Sequence, residues 1–184
     1  MSLVARCLRL EFLVLTVLAA LALQSADQAR AADLLPSTDA CPGQQNQRAP
    51  EPRQEDGMHC LIQHARSQAW VGSVSTHRAL ERAAGRKAGD VMRCGFSHTA
   101  CGKPADHYVH QFGYSSGSSG WQWGENLAWG TGPTGTARSV LKAWLQSEPH
   151  RHTLLSGVYE HVGLGLKRSG GRSYWVLQLG CRGC

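Results

Sequence analysis

Trp123-Gly124-Glu125-Asn126-Leu127-Ala128 is the stretch on which the reading of this chain turns. It lies between a Phe96-Ser97-His98 step and a Trp144-x-x-Ser147-x-x-His150-Arg151 step, so three isolated polar groups, His98, Glu125 and His150, can converge on one cleft. Gly124 permits the turn or close backbone approach that presents Glu125, and the Asn126 amide can satisfy loop backbone groups beside it.

Upstream of this stretch the pattern is helical. From Met58 onward Leu61, His64, Ala65 and Gln68 share a face, ending near Trp70 and Gly72. Thr76 is the candidate N-cap of a second helix, in which Leu80, Ala83, Ala84, Lys87, Ala88 and Val91 recur at spacings of three and four until Gly95. Downstream, a third helix is predicted after Gly132-Pro133-Thr134, with Ala137, Val140, Leu141 and Trp144 on one side and Pro149 as its stop. The period then changes to an alternation: Val162, Leu164 and Leu166, a turn at Ser169-Gly170-Gly171, then Tyr174, Val176 and Gln178 alternating with Trp175, Leu177 and Leu179. That is a β-hairpin. Two strands alone are marginal, so a further strand is expected in the Asn126 to Trp129 region or just before it. Helices first and antiparallel strands last predict an α+β domain with helices packed on a small sheet.

The N-terminus has a different character. Arg6 and Arg9 precede an apolar run from Phe12 to Leu23 and a small, polar segment ending Ala29-Arg30-Ala31, the pattern of a secretory signal peptide over residues 1–31. The run falls short of the roughly 20 residues a membrane-spanning helix needs, so an uncleaved anchor is the weaker reading and no stable span is expected after cleavage. Removal of the signal leaves 153 residues, with 16 basic against 11 acidic side chains where the whole chain has 19 against 13. That length suits one domain, over 57–184, preceded by a Pro- and Gln-rich linker or arm over 32–56. The remaining Lys and Arg are scattered, with no basic run and no interleaved aromatics, which argues against nucleic acid as a ligand. A diffuse positive field favours weak, salt-sensitive contact with anionic cell-wall polymers or membrane surfaces.

Six cysteines remain after Cys7 leaves with the signal, an even number that implies disulfides in a secreted chain. Cys94 and Cys101 form the one local pair to be expected, closing a short loop around His98. Cys181-Arg-Gly-Cys184 closes the chain and opens no helix, so bridges to Cys41 and Cys60 are favoured there over a redox pair.

The ordered motifs Cys94-Gly-Phe-Ser-His98, Gly113-Tyr114, Gly124-Glu125-Asn126-Leu127-Ala128-x-Gly130, Trp144-x-x-Ser147-x-x-His150-Arg151 and Val162-Gly163-x-Gly165 resemble the CAP superfamily, or SCP domain, of cysteine-rich secretory, antigen 5 and pathogenesis-related 1 proteins. The resemblance covers about Cys60 to Gly180, and its style is that of bacterial secreted members. It implies a three-layer α-β-α sandwich. It also implies a cleft lined by His98, Glu125 and His150, with Tyr114 as a further ligand contact, and in some members a divalent metal. Two imidazoles and a carboxylate suit zinc with an open coordination position. The same triad without metal makes a charge-assisted network. Where eukaryotic members place a second cleft glutamate this chain has Ser147, which leaves a fourth ligand without support. His152-Thr153 stands where the bacterial pattern continues with an Asn.

Around the motif, Trp121, Trp123 and Trp129 either stack on a ligand or belong to the core, the core being the better reading. His59, His64, His77, His107, His110 and His161 have no partner at ligand spacing and are read as solvated, with His107 and His110 in a loop. No Gly-x-Ser-x-Gly elbow or His-Glu-x-x-His helix is present, and Ser139-x-x-Lys142 lacks a companion Lys-Thr-Gly. Three functions remain open at this point. One is a non-enzymatic extracellular binding module for a small ligand, lipid, glycan or divalent metal. Another is a metal-assisted hydrolase of peptide or cell-wall material, with zinc on His98 and His150 and Glu125 as general base. The last is a purely structural domain in which the triad is internal glue.

Overall fold

A computed structural model describes residues 33–184. The expected signal peptide lies outside the described residues, and among those described no helix is long and apolar enough to cross a membrane. In chain order the elements are α1 (Glu51–Gln68), β1 (Ser75–Thr76), α2 (Arg78–Cys94), a 3-10 turn (Ala100–Gly102), α3 (His107–Gln111), β2 (Trp121–Thr131), a second 3-10 turn (Gly132–Gly135), α4 (Ala137–Gln146), α5 (Glu148–Leu154), β3 (His161–Ser169) and β4 (Arg172–Arg182).

The four strands form one sheet in the order β1-β3-β4-β2. β4 pairs antiparallel with both β3 and β2, while β1 runs parallel to β3. Alternation along β4 sends Trp175, Leu177 and Leu179 to one face, where Met58, Leu61 and Ile62 of α1 and Leu141, Trp144 and Leu145 of α4 close over them. Val176 goes to the other face, against Ala84, Ala88 and Val91 of α2. The expected α-β-α sandwich is therefore observed, with the hairpin and the strand around Asn126 where the patterning put them.

Helix α2 lies directly on the backbone of β3. A Cβ added at Gly163 would fall 2.1 Å from the Leu80 carbonyl carbon and 2.4 Å from the Glu81 nitrogen. The small residues of the Val162-Gly163-x-Gly165 motif thus act as a seat for the helix that carries one wall of the site.

Several boundaries differ from the sequence reading, each for a local reason. α1 begins at Glu51, not Met58, because its polar first turns bind the sheet: Glu55 accepts from the Leu166 amide at 2.7 Å and Glu51 pairs with Lys167 at 2.7 Å. Burial raises the pKa of the Glu55 carboxyl. The arm before α1 is held down rather than extended. Leu34, Cys41, Gln44 and Ala49 are buried, and Arg138 of α4 donates to the Pro36 carbonyl and to Gln44 Oε1 at 2.7 and 2.8 Å. This packing brings Cys41 onto Cys60, so the bridges expected from Cys181 and Cys184 to these residues do not form. The turn after β4 joins Cys181 to Cys184 instead. Pro149 does not stop α4. Ser147 does, in an extended conformation, and Pro149 sits in the first turn of α5, where its missing N–H is no loss. His107 and His110 lie on the short helix α3, not in a loop.

Thr76 is not the N-cap of α2 because it is extended in β1, paired with Val162. The cap falls to His77, whose Nδ1 accepts from the Ala79 amide at 3.2 Å. Burial, then the neighbouring His161 and Arg182, lower the His77 pKa below its usual 6.5. A depressed folded-state pKa in a base means that the unfolded chain takes the proton first, so this cap is fully present above pH 6.5 and is lost as pH falls below it. His77→Asn keeps an acceptor that does not titrate. Urea unfolding at pH 7 and pH 5 should show the variant losing about 1 kcal/mol less than the parent over that interval.

Candidate functional site

The site forms at β2, which among the described residues has β4 as its one strand neighbour. Glu125 and Asn126 are consecutive and point to opposite faces of the sheet. Glu125 faces the α2 layer and meets Gln178 of β4 directly across the ladder. Asn126 faces the α4–α5 layer, where its Nδ2 donates to the His150 carbonyl at 2.9 Å. The Gly-Glu-Asn step therefore ties both helical layers to one strand. Gly124 is needed for close approach and not for a turn: a Cβ there would lie 2.7 Å from the Tyr159 hydroxyl and 2.8 Å from Thr153 Cγ2.

His98 comes from the loop after α2, which the Cys94–Cys101 disulfide closes, as expected. Its Nδ1 donates to Glu125 Oε1 at 2.7 Å. The other carboxylate oxygen accepts from Gln178 Nε2 at 2.6 Å, and Gln178 Oε1 in turn accepts from the Trp123 indole. Behind them stands Lys87 of α2, whose ammonium is 3.9 Å from Glu125 Oε1 and donates to the His98 carbonyl. The side chains of Lys87 and Glu125 are each 2% exposed, whereas that of His98 is 52% exposed. A relay of buried polar groups thus ends on one ring open to solvent. In the neutral ring the carboxylate holds the proton on Nδ1 and leaves Nε2 as the acceptor.

His150, at the first turn of α5, bonds Ser147 Oγ through Nδ1 at 2.8 Å. Burial, and secondarily the nearby His98, push its pKa below the usual value. Ser147, noted in the sequence as a departure from a second glutamate, here orients His150.

Tyr114 is placed differently from the other three. It is fully buried, its hydroxyl bonds His161 Nδ1 at 2.9 Å, and its ring meets His77 edge-on at 4.8 Å between centroids. Burial, with Glu160 adding to it, pushes its hydroxyl pKa up. Tyr114, His77 and His161 thus pack on one another, in a core cluster that Trp123 also borders, and the two histidines are not the solvated ones expected. His110 also has partners, in Asp106 and Ser115. Of the tryptophans, Trp123 joins the relay, while Trp129 is 48% exposed under the Arg172 guanidinium.

Lys87, Gln178 and Trp123 are the members that motif reading passed over. Their signals were present: a lysine on the apolar stripe of α2 and a lone amide inside the hydrophobic alternation of β4.

A divalent metal makes a specific demand on this donor set. Glu125 is 2% exposed, with one oxygen bonded to His98 and the other to Gln178, so a metal held by the two imidazoles alone would have one protein ligand fewer than the three of a usual catalytic zinc. The buried Lys87 charge further cancels the negative potential that would draw a cation. Among the described residues no group of three or more His, Cys, Asp or Glu side chains is arranged to hold a metal ion. As arranged, these residues do not fit the expected zinc.

Comparison with known proteins agrees with the architecture. A stretch of 77 residues is 38% identical to the uncharacterized protein YkwD of Bacillus subtilis (strain 168), covering 42% of this chain and 26% of that one, so the chain spans about a quarter of that relative's length. Among solved structures, the fold is similar to an extracellular protein containing a SCP domain from Bacillus anthracis str. Ames, with a TM-score of 0.60, 19% identity, and coverage of 70% of this chain and 40% of that one. It is also similar to an outer surface protein from Borrelia burgdorferi, with a TM-score of 0.61, 20% identity, and coverage of 70% and 92% respectively. At such identities the structural likeness speaks for the fold alone. Residues 61–179, most of the described chain, match the model of the cysteine-rich secretory protein family, and the chain belongs to that family, CAP.

Proposed function

We propose that this protein is a secreted, non-enzymatic binding module whose cleft at His98, Glu125 and His150 takes a hydroxyl-bearing ligand of glycan type. The observation that carries this reading is the relay from Trp123 through Gln178 and Glu125 to His98, buried at its middle and half-exposed at His98. Its outward end is the His98 imidazole, with the His150 ring near enough to feel its charge and the Ser147 hydroxyl bonded to that second ring. Such a set of donors and acceptors suits sugar hydroxyls better than an acyl chain. A metal-assisted hydrolase would need Glu125 within reach of water, and its side chain is 2% exposed between His98 and Gln178. Secretion is supported by the pattern of residues 1–31, by the pairing of all six remaining cysteines, and by the description of two structural relatives as extracellular or outer-surface proteins.

The test is NMR of the histidine ring resonances during titration with N-acetylglucosamine oligomers and with soluble peptidoglycan fragments. The rings of His98 and His150 should shift together and saturably with at least one probe. His98→Ala should weaken that binding about tenfold, the worth of one good hydrogen bond. If neither probe moves either ring, the glycan reading fails.

A further inference from the structure

We infer that Lys87 stands where a bound cation would otherwise be required, making the cleft metal-independent and holding His98 in place. This goes beyond the glycan reading and does not depend on it. Lys87 lies in the interior of α2 on the face that packs against the sheet, among Ala83, Ala84, Ala88 and Val91. Nothing about packing favours a lysine there. An ammonium taken out of water costs several kcal/mol unless it is paired, so its presence needs a compensating partner. The partners are Glu125 Oε1 at 3.9 Å and the carbonyl of His98.

Those two contacts do two jobs. The ammonium balances the charge of a carboxylate that is itself almost wholly buried. A divalent ion entering beside His98 and His150 would meet a fixed like charge in a low-dielectric setting and would find Glu125 already neutralised. The bond to the His98 carbonyl also fastens the backbone of the Cys94–Cys101 loop to α2. Lys87 is thus a positioning residue: it acts through Glu125 and through the His98 backbone and touches no ligand itself.

The experiment is zinc titration by calorimetry, with thermal melts in zinc and in EDTA, on the oxidised mature protein and on Lys87→Met, Lys87→Arg and Lys87→Met/Glu125→Gln. The parent should bind no zinc at concentrations up to the order of 100 µM, and its melting should be the same in zinc and in EDTA. Lys87→Met, with Glu125 uncompensated, should bind zinc at least about tenfold more tightly than the parent and be stabilised by it. The double variant and Lys87→Arg should not. Should Lys87→Met fail to fold alone, zinc should restore it. Micromolar zinc binding by the parent that His98→Ala abolishes would overturn the inference. A Lys87→Met protein that gains no zinc affinity, or that zinc does not restore, would overturn it too, as would zinc binding by Lys87→Arg. The glycan titration reads a different property, so either idea can fail alone.

Discussion

Glu125→Ala lowers stability by about 3–5 kcal/mol in urea unfolding, because it leaves the Lys87 ammonium buried without a counter-charge. The loss is larger than a surface ion pair would give, since both side chains are 2% exposed. It also strands Gln178 Nε2, which loses its acceptor. Adding Lys87→Met to the same chain should recover most of the loss, because two apolar groups replace an unpaired charge. His98→Ala, by contrast, removes a half-exposed ring and should cost little. A double variant no more stable than Glu125→Ala would mean that the cost lies in the Gln178 bond or in packing, and not in the charge.

Gly163→Ala should destabilise the domain by at least about 3 kcal/mol, the upper range for overpacking, because the added methyl meets backbone and not a side chain that can rotate away. The nearest atoms are the Leu80 carbonyl carbon at 2.1 Å and the Glu81 nitrogen at 2.4 Å. Relief requires lifting α2 off β3, and α2 carries Lys87 and leads into the His98 loop. The variant should therefore lose the His98–Glu125 contact as well as stability, visible as a changed His98 ring resonance alongside a lowered melting temperature. Gly72→Ala is the control: a Cβ there meets nothing within 4 Å, and the change should stay within about 0.5 kcal/mol of the parent. Equal melting of the two variants would refute the close-approach account.

The parts of this fold that were legible in sequence are those governed by periodicity. The stripe from Leu80 to Val91, the Ser169-Gly170-Gly171 turn and the alternation on either side of it all specify local geometry through which side chains must be buried. The His98–Glu125 pairing was legible through ordered motifs. What stayed hidden depended on partners distant in sequence. Glu55 looks like linker until the Leu166 amide, 111 residues away, bonds it. Cys181 could not be paired from spacing because the packing that brings Cys41 to Cys60 lies in the arm. Tyr114 shares a motif position with cleft residues, yet Gly180 opens room for its ring on the sheet and His161 takes its hydroxyl. Lys87 was visible as a charge on an apolar stripe, but its meaning depends on a carboxylate that arrives 38 residues later on an edge strand.

The position of β4 has a consequence for the timing of folding. Among the described residues β4 follows the other three strands in the chain, and both β2 and β3 are paired to it. Until residue 172 has emerged β2 has no partner strand, and β3 has the two residues of β1 alone to pair with. Long-range pairing of this kind is slow to nucleate. Glu125 consequently acquires its Gln178 neighbour only once β4 has been made.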